Sequence, residues 1–400
     1  HLLSKVLPTL ADAFNEADVV AAPPLNDFQV TLLRGLSAVS ELLAAQAKVL
    51  SRQASREELP TAVDTDPDIQ SKSPISATPK RTALDEIFLS SKSRLGDIVV
   101  FPIIDWDFRV QRPQHLATNL ARLGYRVTYL SINFDELSEG KPRYRIRDKK
   151  AEGVFEIILS CPFPHPNIYA GIYDAESLRY LANAMNELID CLGLVFPTAI
   201  VHFPTWLPVV NSISGTAIVF DCLDHLAGFS TTSPEVVALE KELVCCADTV
   251  ITSSSYLHEQ FAKLRESTIV RNGAEVDFFS TEPIVRADFG SAPVIGYYGA
   301  IAEWFDIDLV YHVAISRPEW RIVLVGSTAG AEIEKLKELP NIDLVGEVPY
   351  RRITEYLYAF DCCLIPFKVV ELIKATNPVK IYEYFAAGKP VVATRIPELE

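Results

Sequence analysis

From Gly96 to Glu400 the chain repeats one alternation: a short run in which nearly every residue is apolar, then a longer stretch with a single apolar stripe. Strands apolar at every position, rather than at every second one, are covered on both faces, as in a parallel sheet between layers of helices. The pattern predicts strands at 97–104, 126–132, 155–160, 199–203, 217–221, 249–252 and 268–271, with helices at 114–123, 175–192, 234–246 and 254–264. A second series begins near Pro293, with strands at 294–298, 321–325, 342–345, 362–365 and 391–394. The fold is therefore read as α/β, with two doubly wound Rossmann-like domains at 96–288 and 289–400. Two such domains face each other across a cleft, with ligands at the carboxyl ends of the strands.

The first part of the chain is different. Between Asp27 and Glu58 the apolar positions Leu32, Leu36, Val39, Leu43 and Leu50 follow the spacing of a helix with one apolar seam. Residues 1–59 are read as helical, either packed on a neighbouring domain or forming an oligomerising coil. Pro60, Pro67, Pro74 and Pro79 then lie among Asp, Ser, Thr and Lys, with too little apolar surface to fold, so 60–95 is read as a linker. The chain opens on His1, and Glu400 follows a buried strand with no helix after it, so a longer parent chain is expected.

Composition narrows the function. The 37 basic against 52 acidic residues leave a net charge of −15. That sign repels nucleic acid and anionic lipid as main partners, while a locally basic pocket could still take a small anion. No apolar run approaches the roughly 20 residues needed to span a bilayer, and no secretory signal pattern is present, so a cytoplasmic location is expected, at most peripheral to the inner face of a membrane. The seven cysteines are odd in number and include the adjacent pairs Cys245-Cys246 and Cys362-Cys363. None has metal-ligand spacing, so they are read as buried small apolar residues in a reducing compartment, and no metal site is expected. Neither opening strand is followed by G-x-G-x-x-G, which disfavours a nicotinamide dehydrogenase.

The stretch 365–394 carries the most chemistry. A strand ends at Ile365, and the loop after it holds Lys368, Glu371 and Lys374. Asn377-Pro378 reads as the start of a helix, with Asn377 as N-cap, and Gly388 as its end. A helix start of that kind offers backbone N–H groups and a positive dipole end to a phosphate. Lys374 and Lys380 add formal charge, and Glu383, one turn after Lys380, is a carboxylate that can accept from a pair of sugar hydroxyls. The bland alternative is a surface helix in which Lys380 and Glu383 pair with each other.

The run N-P-V-K-I-Y-E-Y-F-A-A-G-K-P-V-V, which includes Asn377, Val379, Lys380 and Glu383, resembles the donor-site helix of GT-B glycosyltransferases of the retaining group marked by Glu, seven residues, Glu. D-W-D-F-R-V-Q-R-P-Q-H-L-A, D-C-L-D-H, R-N-G-A-E-V-D-F-F and G-Y-Y-G-A-I-A-E-W-F-D agree with it in order. The likeness is in particular to bacterial cell-surface polysaccharide and teichuronic-type transferases, over about residues 96–400. It implies transfer of a glycosyl group from a nucleotide sugar to a glycan or lipid-linked acceptor, without a structural metal or other cofactor. By family habit the base is uridine, with dTDP and GDP sugars as alternatives.

The chain departs from that pattern at two places. Eight residues before Glu383 stands Ala375 rather than Glu, and Glu371 or Lys374 is the charged group nearest in sequence. The loop Gly299-Ala-Ile-Ala-Glu-Trp304 lacks the Arg and Lys that usually meet the diphosphate, leaving that charge to Lys374, Lys380 and, from the first domain, Arg109 or Arg112. Asp105, Trp106, Arg109, Arg112 and His115 follow a strand end and are read as acceptor or phosphate contacts. Trp106 could equally be a packed loop aromatic, Arg112 the partner of Asp105 or Asp107, and His115 a satisfied buried histidine. Asp224, His225 and His202 are the candidates for a base or a group that orients the acceptor hydroxyl. Two other functions are kept open: a nucleotide-sugar 2-epimerase on the same fold, and a non-catalytic module that scaffolds a larger enzyme through residues 1–60.

Overall fold

In a computed structural model, residues 19–21, 82–91, 93, 95–139, 141–162, 164–170 and 173–400 are described; the stripe between Asp27 and Glu58 lies outside them. They divide into two units, each with its own parallel sheet. The N-terminal unit runs to Cys222 and adds Thr232–Ile251; the C-terminal unit holds Val19–Ala21, Leu223–Thr231 and Thr252–Glu400.

Strand β1 (Val19–Ala21) belongs to the C-terminal unit. The nine-stranded sheet contains β2 (Asp97–Phe101), β3 (Arg126–Leu130), β4 (Asp135–Glu136), β5 (Tyr144–Ala151), β6 (Val154–Cys161), β7 (Thr198–Val201), β8 (Ala217–Cys222), β9 (Thr249–Thr252) and β10 (Thr268–Ile269). Its central order is β8-β7-β2-β3-β6, all parallel, with Phe101 opposite Val201 and Val99 opposite Thr128. The helix Ala175–Leu192 shows why the sequence was readable here. Asp174 accepts from the N–H groups of Glu176 and Ser177 at its start, Gly193 ends it at φ 61°, and Leu181, Ala184, Met185 and Leu188 form its buried stripe. Strand β5 was not foreseen: Y-R-I-R-D-K-K-A is charged because it is exposed on one face, and it pairs antiparallel to β6 through the turn at Glu152-Gly153.

After β10 (Thr268–Ile269), the C-terminal unit carries β11 (Val294–Tyr298), β12 (Arg321–Val325), β13 (Ile342–Gly346), β14 (Cys362–Ile365) and β15 (Val391–Thr394). The order β1-β15-β14-β11-β12-β13 is parallel except for β1, which adds antiparallel to β15. Ile295, Tyr297, Val323, Leu324, Cys363 and Leu364 fill the core around β11, the central strand that leads into the site described below.

Two expectations need correction. The span read as linker contains a helix, Ala83–Ser90, closed at its start by a reciprocal Thr82–Asp85 box. Its Phe88 is fully buried, edge-on to Phe155 at 4.8 Å and under the Arg126 guanidinium at 4.4 Å. One aromatic anchor outweighs the polar composition around it. The cysteines are all free, and four of them are buried, but Cys245 and Cys246 are exposed at the end of the helix Pro234–Cys246. Among the described residues no helix is long and apolar enough to cross a membrane.

Phe88→Ala should remove this anchor and cost about 3–5 kcal/mol of stability. Urea denaturation followed by circular dichroism reads the effect as a lowered midpoint with an unchanged slope; an unchanged midpoint would show that the helix adds nothing to the unit.

Candidate active site

In the C-terminal unit the site begins where β11 and β12 end. Gly299 donates its N–H to Val325 O at 2.8 Å and has φ 133°, a conformation that disfavours other residues. Gly326, at φ 148°, presses against it so closely that a Cβ there would lie 1.9 Å from Gly299 O. The two glycines leave a bare backbone ledge, and Lys380 lies along it: a Cβ on Gly299 would meet Lys380 Cε at 2.2 Å and Nζ at 2.7 Å. The ammonium also sits 5.6 Å above the Tyr297 ring and 6.0 Å above the Phe367 ring.

The second aromatic wall is fixed by the backbone. Lys368 N–H donates to Trp304 O and Asp306 N–H to Pro366 O, each at 2.8 Å, and Phe305 pairs with Phe367 as an antiparallel bridge. Lys368 Nζ donates to Glu303 O at 2.9 Å, so this lysine clasps the two loops together.

Lys380 and Glu383 share the helix Val379–Ala386. Glu383 is buried, and its Oε2 accepts from Tyr298 OH at 2.8 Å. Burial first, and the Glu383 carboxylate second, push the Tyr298 phenol well above 10, so it stays a donor. Tyr298 N–H donates to Tyr384 OH at 3.3 Å, which ties the same helix to the end of β11.

Asn377 is not the N-cap of that helix. The position falls to Pro378, and no side chain caps the first turn. Asn377 Oδ1 accepts from Asn272 N–H at 2.9 Å, its carbonyl accepts from Asn272 Nδ2 at 2.6 Å, and its Nδ2 donates to Tyr382 OH and Glu398 Oε2. A long-range clamp has taken the side chain that a local cap would use. Val379 is the first residue of the helix, where backbone N–H groups have no partner within the helix.

The same unit gathers four other predicted residues. Lys374 Nζ donates to Glu371 Oε1 at 2.6 Å, and Tyr256 OH donates to Glu371 Oε2 at 2.9 Å. The Lys374 hydrogen bond holds the Glu371 carboxyl below its usual value. The His225 ring meets Tyr256 edge-on at 5.6 Å, and its Nδ1 has no hydrogen-bond partner among the described residues. Asp224, next to it, is pushed up to about 6 by burial. Ala375, where the family pattern has Glu, is fully buried.

In the N-terminal unit, Arg112 is buried and turned inward. Its Nε donates to Asp221 Oδ2 at 2.9 Å and its Nη2 to Oδ1 at 2.8 Å, a buried two-point pair with a carboxylate other than the expected Asp105 or Asp107. His202 Nδ1 lies 3.2 Å from Asp221 Oδ2, and its Nε2 finds no hydrogen-bond partner among the described residues. Burial alone would raise the Asp221 carboxyl; Arg112 and His202 outweigh it and hold it well below the carboxylate range. Asp105 accepts from Ser131 Oγ at 3.0 Å and Asn133 Nδ2 at 2.8 Å. Trp106 packs edge-on to Tyr129 at 5.0 Å, and Arg109 covers Phe108 at 4.7 Å. His115, in the first turn of the helix Arg112–Leu123, is half-buried. Asp105, Asp107 and Glu156 converge, but Arg147 and Lys150 lie among them, with Arg147 Nη1 at 3.1 Å and Lys150 Nζ at 3.0 Å from Glu156.

Sequence reasoning did not single out Tyr298 or Tyr256, and it named Asp221 as one of the two carboxylates of D-C-L-D-H rather than as the partner of Arg112. Tyr298 lies within the quoted G-Y-Y-G and Asp221 within D-C-L-D-H, whereas nothing local marks Tyr256, whose partner Glu371 is 115 residues away.

Residues 292–400 match the family of glycosyl transferases group 1, and the two-unit fold is GT-B. The chain is similar to TuaH of Bacillus subtilis (strain 168), named as a teichuronic acid biosynthesis glycosyltransferase, with 28% identity over 231 residues. The match covers 52% of this chain and 56% of that protein, so the chain spans about half of its relative's length. Among solved structures, sucrose-phosphate synthase from Thermosynechococcus elongatus superposes with a TM-score of 0.54 at 14% identity, over 74% of this chain and 80% of that one. An alpha,alpha-trehalose-phosphate synthase (UDP-forming) from Burkholderia vietnamiensis does so with a TM-score of 0.51 at 12% identity, over 73% and 81%.

Asp221→Asn should leave Arg112 buried without its counter-charge and cost about 3–5 kcal/mol at neutral pH. The depressed carboxyl contributes stability that is present above the unfolded-state pKa of about 3.9 and is lost as pH falls below it. Urea midpoints of both proteins from pH 7 to pH 3 should therefore converge toward the acid end; a constant gap would contradict the ion pair.

Proposed function

We propose that this chain transfers a glycosyl group from a nucleotide sugar to a glycan or lipid-linked acceptor in the synthesis of a bacterial surface polysaccharide. The single observation that carries the reading is the Lys380 ammonium laid over the Gly299 ledge, with Glu383 one turn further along the same helix, inside the glycosyl transferases group 1 domain. The name of the Bacillus subtilis relative supports a surface glycan as the product.

In this reading the donor diphosphate lies between Lys380 and the first turn of the helix Val379–Ala386. That turn has no side-chain cap, so its N–H groups and dipole can take the anion. Lys380 replaces the basic residues that the loop 299–304 lacks. Charge builds on the diphosphate as the glycosidic bond breaks, and a preorganised ammonium stabilises that state more than the ground state. Glu383 takes the ribose hydroxyls, oriented by the Tyr298 phenol. Lys374, already paired with Glu371, is a weaker phosphate ligand than Lys380.

Transfer proceeds with retention and without a resident metal, the leaving diphosphate assisting attack from its own side. Asp224 and His225 are the groups that handle the acceptor proton. Asp224, pushed up to about 6, can hold or release a proton near neutral pH. A UDP-sugar is the favoured donor, and the protein works in the cytoplasm.

Calorimetric titration with UDP, GDP and dTDP tests the assignment. One of them should bind saturably. Lys380→Ala should weaken that nucleotide tenfold or more while leaving the matching nucleoside unchanged, and Glu383→Gln should weaken both. Full affinity for the diphosphate in Lys380→Ala would contradict the phosphate site.

A further inference from the structure

The C-terminal unit buries one carboxylate that the proposed function leaves unused. Glu398 lies in the turn Pro397–Leu399, just past β15, and only 1% of its side chain is exposed. Three groups of the same unit converge on it. Ser255 N–H, at the start of the helix Ser255–Phe261, donates to Oε1 at 2.7 Å. Arg271 Nε donates to Oε2 at 2.8 Å, and Asn377 Nδ2 donates to the same oxygen at 3.2 Å. Arg271 Nη2 also donates to Ser255 Oγ at 3.0 Å, so the first two partners hold each other. A buried carboxylate is unfavourable unless charge and hydrogen bonds compensate it, and here both oxygens are engaged.

The carboxylate decides how the Asn377 amide lies. Paired with a guanidinium, it only accepts, so it can face the amide nitrogen and not the amide oxygen. The oxygen is thereby turned to Asn272 N–H at 2.9 Å, and the second amide hydrogen goes to Tyr382 OH at 3.1 Å. Asn272 Nδ2 closes the arrangement on the Asn377 carbonyl at 2.6 Å. Pro378 follows directly, and the helix that carries Lys380 begins at Val379. With no side-chain cap in that first turn, the bonds to Asn377 set the direction in which the helix starts.

The end of β15 supplies the other side of the Lys380 site as well. Thr394 Oγ1 accepts from Phe367 N–H at 3.2 Å and donates to Phe367 O at 2.8 Å, which places the ring 6.0 Å below the ammonium. We infer that Glu398 is a positioning residue of the phosphate site: through Asn377 it sets the start of the helix Val379–Ala386, and with it the place of Lys380 and the first-turn N–H groups. The inference rests on the donor-site reading above. Glu398 acts on the ligand only through Asn377, because its own oxygens are already taken.

Calorimetry on the whole chain with UDP, GDP and dTDP, and with uridine, guanosine and thymidine, provides the test. Glu398→Gln keeps the shape but leaves one acceptor oxygen for three donors. Asn377→Asp sets a second carboxylate against Glu398 and leaves Ser255 and Arg271 in place. Each variant should weaken the diphosphate that binds by about tenfold or more and leave its nucleoside within about twofold. A residue that only stabilises the unit lowers the urea midpoint and leaves the affinities of the folded protein alone. The double variant should bind no more weakly than the weaker single one, because the two residues act as a unit. Near-ultraviolet circular dichroism shows which variants are folded; if Glu398→Gln is not, Asn377→Asp decides by the same two affinities. Full diphosphate affinity in the folded variants, equal losses of diphosphate and nucleoside, or additive losses would overturn the inference. Diphosphate binding that falls in Lys380→Ala but not in these variants would overturn it and leave the donor site standing. No diphosphate binding to the parent chain would overturn both together.

Discussion

The close approach of Gly299 and Gly326 is the constraint on which the C-terminal site depends. With 1.9 Å between Gly299 O and any Cβ at Gly326, the ends of β11 and β12 can meet only if the second residue has no side chain. The positive φ at both positions turns the chain away from the strands and exposes backbone where a side chain would otherwise project. Lys380 then reaches across from the helix Val379–Ala386, with its stem on the ledge and its ammonium above two aromatic rings. Glu383 follows as a matter of helix geometry, one turn away and held by Tyr298 from the same strand end.

Charge is handled differently in the N-terminal unit. Arg112, Asp221 and His202 are buried at the start of the helix Arg112–Leu123 and the ends of β7 and β8, where Arg112 and His202 both face the Asp221 carboxylate. Such an arrangement fixes local geometry by pairing the guanidinium with the Asp221 carboxylate. In the proposed reading the diphosphate charge falls to Lys380, in a domain whose 299–304 loop has neither Arg nor Lys.

Much of the fold was readable because strands buried on both faces have no alternative pattern to adopt. The strands 294–298, 321–325, 362–365 and 391–394 have the expected bounds. What could not be read depended on contacts far along the chain or on a single side chain. Charged β5 pairs with β6 at a sheet margin, and Ala83–Ser90 is anchored by the buried Phe88, with Leu84 and Leu89 half-buried beside it. The same holds for the site. Gly299, Lys380 and Glu383 could be picked out locally, as a glycine after a strand and a lysine and glutamate one turn apart. Asn377 could not, because Asn272, 105 residues away, takes the side chain that local rules assign to a cap, and Arg112 finds Asp221 at a separation of 109.

A crystal structure of the chain soaked with the nucleoside diphosphate it binds most tightly tests the central claim most directly. The account predicts phosphate oxygens within hydrogen-bond reach of Lys380 Nζ and the first-turn N–H groups of the helix Val379–Ala386, with ribose hydroxyls on Glu383. A nucleotide bound elsewhere, with Lys380 still lying over Tyr297 and Phe367 and no phosphate beside it, would contradict the account.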